Sequence, residues 1–520
     1  MIRSYDERLA ALAGAGGPAL LRGGLRGVEK ECLRVTPDGF IAATDHPMAL
    51  GSALTNRYIT TDYSEALLEF ITPPDHGTSA TLTFLADIHQ FVGGALGEEL
   101  LWPTSMPCRL RGEDDIPLAR YGSSNVGTMK TVYRRGLGYR YGRYMQAIAG
   151  VHFNFSLPDA FWPAWADLER RDGSMAELKS AAYLGMVRNV RRLDWLLLYL
   201  FGASPAVCRC FLPGGAAGLV ELDRSSYYAP WATSLRMSDI GYKNESQAGL
   251  WISANSLEEY VADLSRAIRT PNPRFERIGV QVDGVWRQLN ANQLQIENEY
   301  YSTVRPKRPA LSGERPTTAL RRGGVEYVEL RALDLDPYAP TGVGEPALRF
   351  AEVFLVYCLL AASPPIGAAE REDIDYNHGA VARRGREEGL TLRRCSQPVA
   401  MRAWAGEVLG RMQGVAEILD AGTGDHYRQA CSEAVARLED AGRTPSARLL
   451  RDLREQRQGL GEFGLDLACR HRGHFRAMPP QANSHWQLLE TEALASLDRQ
   501  CWIEEHDTLE FAEYLAAYYA

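Results

Sequence analysis

Glu29 and Glu31 are separated by one residue in Gly27-Val28-Glu29-Lys30-Glu31-Cys32-Leu33-Arg34-Val35, a β-favouring stretch bounded by turn-forming residues. On a strand both carboxylates project from one face, about 7 Å apart. Two acids held there repel unless a cation lies between them, and a hard divalent ion with oxygen ligands is the economical candidate. A solvated acidic edge strand competes with that reading while the segment is taken alone. A second segment, Thr60 to Thr72, ends in an apolar run that carries Glu69 among Leu67, Leu68, Phe70 and Ile71. A lone carboxylate in such company is too costly to bury unpaired, so it calls for a metal or a cationic partner.

The third segment is Gly324-Val325-Glu326-Tyr327-Val328-Glu329-Leu330-Arg331. Strand parity puts Glu329 and Arg331 on one face, where the acid can hold a metal and the guanidinium a phosphoryl oxygen. A structural salt bridge is the competitor. In the fourth, Gly150 to Leu157, His152 and Asn154 share a face and Val151, Phe153 and Phe155 fill the other. A satisfied core histidine is the plainer reading of that pattern by itself.

Other familiar sites are missing or weak. The chain has no Gly-Lys dipeptide, which excludes the phosphate-cradling loop that ends in Lys and Ser or Thr. Gly14-Ala15-Gly16-Gly17 has no preceding β-run and reads as a connection, not a dinucleotide loop. Cys469-Arg-His-Arg-Gly-His474 gathers three soft ligands without a second cluster at finger spacing, so it reads as a solvated helix end. Cys208 and Cys210 are one residue too close for a Cys-x-x-Cys redox pair.

The elements that must position these residues change character near residue 345. Before it, short β-favouring segments (Tyr58 to Thr61, Leu67 to Thr72, His152 to Leu157, Ile278 to Val282, Val325 to Leu330) alternate with turns and helical stretches. This predicts an α+β domain over 1–345 with a mostly antiparallel sheet. After it, Met401 to Asp420, His426 to Ala441, Ser446 to Cys469 and Trp486 to Tyr519 carry apolar residues at three- and four-residue spacing. These are expected to be helices, forming a mainly helical region over 346–520 packed on the first domain.

Composition agrees with a large folded enzyme: 520 residues, 45% hydrophobic, 23% charged and 9% aromatic. With 57 Lys and Arg against 65 Asp and Glu, the net charge of -8 argues against a nucleic-acid partner. Trp195 to Cys208 and Phe354 to Ala369 are the longest uncharged apolar stretches; both contain Pro and fall short of the roughly 20 residues of a membrane span. Nine thinly spread cysteines and an N-terminus without an apolar signal core predict a reducing cytoplasm and no membrane association.

Taken together, the motifs resemble the glutamate–cysteine ligases of the proteobacterial type. The likeness runs from about Gly24 to Val343. It rests on Gly-Val-Glu-Lys-Glu, Ile59-Thr-Thr-Asp-Tyr-Ser-Glu-Ala-Leu-Leu-Glu-Phe-Ile-Thr72, the run Tyr121 to Arg134, Ser234-Leu-Arg-Met-Ser-Asp-Ile-Gly-Tyr242 and Gln295-Ile-Glu-Asn-Glu-Tyr-Tyr301, all in family order. The resemblance implies a glutamine-synthetase-like catalytic domain, with a curved antiparallel sheet holding two or three magnesium ions and ATP, manganese being a substitute. It implies metal roles for Glu29, Glu31, Asp62, Glu69, His152 and Glu329, and a phosphate-stabilising role for Arg331, with Lys130 and Arg134 as further catalytic cations. It maps the cysteine pocket onto Tyr63, Tyr133, Leu137, Gln146, Arg236, Tyr242 and Tyr301. Tyr63 stands where family members often have Phe.

The implied reaction joins the γ-carboxylate of L-glutamate to the amino group of L-cysteine through a γ-glutamyl phosphate, the first step of glutathione biosynthesis, with a monomer as the expected state. Another γ-glutamyl ligase would share the metal acids and Arg331 but lack the ordered tyrosines. A silent ATP- or amino-acid-binding relative would be expected to have lost acids, and every mapped acid is present.

Overall fold

Strand alternation builds the sheet that carries the acids. The structure, a computed structural model, describes the chain except residues 1–3, 15, 108, 171–172, 216–217, 243–248, 312 and 480–483. Cys108 and Pro480 therefore lie outside the described residues. The strands of the main sheet are β1 (Leu25–Val35), β2 (Ile59–Thr61), β3 (Leu67–Ile71), β4 (Leu100–Leu101), β5 (Val151–Ser156), β6 (Val304–Lys307) and β7 (Tyr327–Leu333). Their order is β6-β7-β5-β1-β3-β2, every pairing is antiparallel, and β4 pairs with the far end of β1. The long β1 is central, so its alternate residues set the two faces. Val28 and Cys32 of β1, Phe153 and Phe155 of β5, and Val328 and Leu330 of β7 are fully buried on the apolar face.

Helices cover that face. The helices of the chain include α1 (Thr78–Ala95), α2 (Asn125–Tyr141), α3 (Met175–Phe201), α4 (Glu345–Leu360), α5 (Met401–Asp420), α6 (His426–Glu439), α7 (Pro445–Gln456), α8 (Leu460–Ala477), α9 (Trp486–Glu505) and α10 (Phe511–Tyr519), of which α2 and α10 lie instead on the side of the acids. Local sequence sets their starts. Ser174 and Glu177 form a capping box on α3, and Ser124 Oγ accepts from the Gly127 amide at 3.3 Å on α2. Of these, α3 packs on β6 and β7, α4 on β5, and α1 on β1, with α8 on α1. One apolar core runs from Tyr5 through the sheet to Ala493 and includes α4 and α5. A buried ion pair ties β1 to α4, with Arg26 Nε 2.8 Å from Glu352 Oε2, which also accepts from the Tyr427 hydroxyl at 2.9 Å.

Met401–Asp420 is a helix as its spacing predicts, and the expected strands at 58–61, 67–72 and 152–157 form within a residue or two. Two expected helices are each divided. Arg457 takes a left-handed conformation (φ 53°) that ends α7 before α8 begins at Leu460. Between α9 and α10 the chain turns at Asp507, whose carboxylate accepts from the amide and side chain of Asn125 at the start of α2. Only Gln281–Val282 of the expected 278–282 strand forms, in a small hairpin away from the main sheet. Cys469 to His474 lies within α8, near its end.

Candidate active site

The face of the sheet opposite the apolar core collects the acids. On β1, Glu29 lies opposite His152 of β5, and Glu31 lies opposite Glu69 of β3. On β7, Glu329 lies opposite Asn154 of β5 on one side and Arg305 of β6 on the other. These rungs put His152 among three carboxylates. Its Nδ1 is 3.1 Å from Glu29 Oε2 and 3.8 Å from Glu329 Oε1, and its Nε2 is 3.7 Å from Glu31 Oε1. Asn154 Nδ2 donates to Glu29 Oε1 at 2.9 Å. Ligand atoms of Glu29, His152 and Glu329 all lie within 4.8 Å of one another.

Cations approach this cluster from the β6–β7 side. Arg331 Nη1 donates to Glu329 Oε1 at 2.9 Å and sits 3.3 Å from His152 Nδ1; Lys307 Nζ is 3.5 Å from Glu329 Oε2. Burial opposes ionisation of Glu329, but Lys307 and Arg331 outweigh it and hold that carboxyl well below its ordinary range. Burial and Glu329 likewise act to raise Glu29, and His152 brings it down. The β3 side is different. Burial pushes Glu31 up, with Asp62 adding to it, and pushes Glu69 further up, with Glu29, Asp62 and Glu31 all adding. The site is thus polarised, with Glu329 on β7 held ionised by its cations, while for Glu31 and Glu69 toward β3 burial and neighbouring acids outweigh the cations.

The donor set fits a hard divalent cation. It is rich in carboxylate oxygen with one imidazole, and the buried Glu329 Oε2 and Asn154 Oδ1 have no hydrogen-bond partner among the described residues. Such groups are normally satisfied in a finished site.

Beside the acids is a cavity of about 120 Å³. Its lining includes the charged residues Glu31, Asp62, Arg134, Glu299, Arg305 and Arg331 together with Tyr63, Tyr133, Leu137, Gln146, Tyr242 and Tyr301. It is of amino-acid size, well below the ~300–1,000 Å³ of sites for larger ligands. Tyr242 stacks on Tyr301 with centroids 4.7 Å apart, and its hydroxyl donates to the Ile148 carbonyl at 3.0 Å. Tyr63 is buried with its hydroxyl unpartnered among the described residues. Gly138 of α2 makes room for that hydroxyl, since a Cβ there would lie 2.5 Å from it. Arg134 Nε donates to the Asp62 carbonyl.

Comparison with known proteins decides the family. A model of the family described as glutamate-cysteine ligase matches residues 9–381. The chain belongs to the glutamate–cysteine ligase family. It is 48% identical to the glutamate–cysteine ligase of Alcanivorax borkumensis over 524 aligned residues, covering 100% of both chains. It is also 48% identical to that of Azotobacter vinelandii, covering 100% of this chain and 99% of the relative. The crystal structure of glutamate–cysteine ligase from Francisella tularensis, solved in complex with AMP, superposes with a TM-score of 0.90 at 36% identity, covering 96% of this chain and 97% of that one.

In this member of the glutamate–cysteine ligase family, one expected pocket residue lies a layer back. Arg236 is not among the cavity's lining residues. Its guanidinium is 5.1 Å from the Tyr242 ring centre, with Nη2 donating to the Arg331 carbonyl at 3.1 Å and Nη1 3.5 Å from Asp334. Lys130 also lies outside the lining, 5.0 Å over the Tyr121 ring. Burial and Arg134 lower its pKa to about 8.

Sequence reasoning passed over Arg305 and Lys307. Pro306 between them speaks against a strand, yet β6 is the edge strand, where Pro removes no needed donor. The alternation Arg305-Pro306-Lys307 was the available signal, since it places both cations on one face. The C-terminal helices also acquire a part in the ligase fold. Phe511 and Leu515 of α10 cluster with Met129, Val132 and Tyr133 of α2, which carries Lys130, Arg134 and Leu137.

Proposed function

We propose that this chain ligates the γ-carboxylate of L-glutamate to the α-amino group of L-cysteine at the expense of ATP, through a γ-glutamyl phosphate, to give γ-glutamylcysteine. The observation that carries this reading is the adjacency of a polarised row of acids and cations to a tyrosine-lined cavity of amino-acid size. One half suits phosphoryl transfer and the other suits a small acceptor.

Amide formation from a carboxylate and an amine is uphill in water, so the carboxylate is first converted to an acyl phosphate. Two or three magnesium ions, or manganese, would neutralise the repulsion between the glutamate carboxylate and the ATP phosphates. Glu29, His152 and Glu329 would hold one ion, and Glu31, Asp62 and Glu69 another. Arg331 lies against Glu329 and lines the cavity, so its guanidinium can take an equatorial oxygen of the transferring phosphoryl group, with Arg134 and Arg305 adding positive charge. Lys130 adds charge from behind Arg134. The cysteine amine then attacks the acyl carbon, phosphate leaves, and the amine sheds its proton. Tyr63, Tyr133, Leu137, Gln146, Tyr242 and Tyr301 would orient cysteine for that attack and keep bulk water from the acyl phosphate. Arg236 supports Tyr242 and the β7 backbone. The reading takes the enzyme to act as a monomer in a reducing cytoplasm, which would keep the thiol substrate reduced.

The test is ADP release by purified protein with glutamate, ATP and magnesium, comparing cysteine with 2-aminobutyrate, glycine and ammonia. The proposal requires cysteine to give the highest kcat/KM. Preference for ammonia or glycine would replace it with another γ-glutamyl ligase.

A further inference from the structure

The opposite face of β1 carries a charge that the reaction does not use. Lys30 lies between Glu29 and Glu31 in sequence but points away from them, and the residue is only 3% exposed. Its Nζ is 3.0 Å from His89 Nε2 and 5.8 Å from the Phe70 ring centre. Among the described residues no carboxylate pairs with it. A buried ammonium without an acid is unfavourable, and proteins normally supply one.

Lys30 lines a cavity of about 360 Å³ between α1, α8 and the 339–342 loop. Trp102, Phe475, Trp486, Leu100, Pro340 and Met478 give it apolar walls. Lys30 lies beside His89 and His471, two imidazoles that burial and the Lys30 charge keep neutral, and Arg472 and Arg476 are also in the lining. Glu99 is the one acid among the described lining residues, and it is taken by Arg34 at 2.7 Å. The wall is rigid. His89 stacks on Phe475 with centroids 4.9 Å apart and meets Phe70 edge-on at the same distance. A volume inside the usual range for small-molecule sites, apolar walls and a buried cation without its counter-charge together describe a receptor for an amphipathic acid.

We propose that this cavity binds a small carboxylate with an apolar, ring-sized body, seating its acid group on Lys30 Nζ and its body between Trp102 and Phe475. The site is distinct from the catalytic cavity, since the two lie on opposite faces of β1.

Isothermal titration calorimetry of the full chain with benzoate and with 3-phenylpropionate, at constant ionic strength and saturating glutamate, tests this. Saturable one-site binding is expected for at least one acid, at least tenfold tighter than for its neutral amide. It should weaken at least tenfold in Lys30→Met and in Gly93→Leu. Gly93 lines the cavity from α1, and an added Cβ there meets nothing within 4 Å, so leucine is expected to enter the space without a clash at its Cβ. This second variant keeps the test valid if Lys30→Met fails to fold. Three results overturn the proposal: equal affinity for acid and amide, binding unchanged in Gly93→Leu, or no binding of either acid up to about 10 mM, beyond the millimolar floor of specific recognition.

Discussion

Glu31 and Glu69 stand directly opposite each other on β1 and β3. Like charges on one rung of an antiparallel ladder destabilise it, and burial pushes both carboxyls up, with Asp62 adding to each. The sheet in this region is therefore built at a cost that a bound cation would remove, and the pH dependence of stability reports that cost.

For an acid raised on folding, the folded state binds more protons than the unfolded one, so stability falls as pH rises through the folded-state pKa. The metal-free protein should thus lose melting temperature as pH rises above the ordinary carboxylate range. Magnesium should abolish that loss. The Glu31→Gln/Glu69→Gln double variant should show a flatter metal-free profile and little response to magnesium, measured by thermal melts from pH 5 to 8. A wild-type profile matching the double variant would show that these acids carry no such cost.

Removing a proposed metal ligand from the Glu29–His152–Glu329 cluster is expected to act on rate. Glu29→Gln and Glu329→Gln are each expected to lower kcat more than ~100-fold, on the order of 3 kcal/mol, because phosphate charge is left uncompensated in the transition state. Circular dichroism should remain native-like. A fall of less than about tenfold in both folded variants would reassign the metal acids.

Lys130 supplies a second pH signature. Its pKa is lowered to about 8 by burial and Arg134, so its charge is lost as pH rises through that value, well before an ordinary lysine would deprotonate. The kcat/KM profile, which reports groups of the free enzyme, should fall above about pH 8. In Lys130→Arg that limb should move upward, because a guanidinium stays charged. An unmoved limb assigns it to another group.

The acceptor pocket is tested by substrate. Tyr242→Ala should raise KM for cysteine strongly while leaving KM for glutamate nearly unchanged, since it removes a contact to one substrate. Truncating a ring stacked on Tyr301 will also cost stability, roughly 3–5 kcal/mol if the ring is fully packed, so a lowered melting temperature is expected too. Equal rises in both constants would place the cysteine site elsewhere.

Much of this was legible in the chain because strands with one polar and one apolar face announce themselves. Glu29 and Glu31, His152 and Asn154, and Glu329 and Arg331 each share a face as alternation requires. The rungs that bring Glu31 to Glu69 and Glu29 to His152 are long-range pairings that no local pattern specifies. Apolar spacing ran through two helix breaks for a similar reason. Leu453 and Leu460 are seven residues apart and keep the helical period across Arg457, while the turn at Asp507 is held by Asn125 from a distant part of the chain. Arg236 carried the family pattern but not its depth, which depends on the packing of Tyr242 over it.

The central claim is passage through an acyl phosphate, and it is read most directly by following one oxygen. Turnover of glutamate labelled with 18O in its γ-carboxylate, with ATP, cysteine and magnesium, should give γ-glutamylcysteine and one 18O in each phosphate released, since the bridging oxygen of γ-glutamyl phosphate comes from that carboxylate. Unlabelled phosphate formed together with the dipeptide would contradict the mechanism.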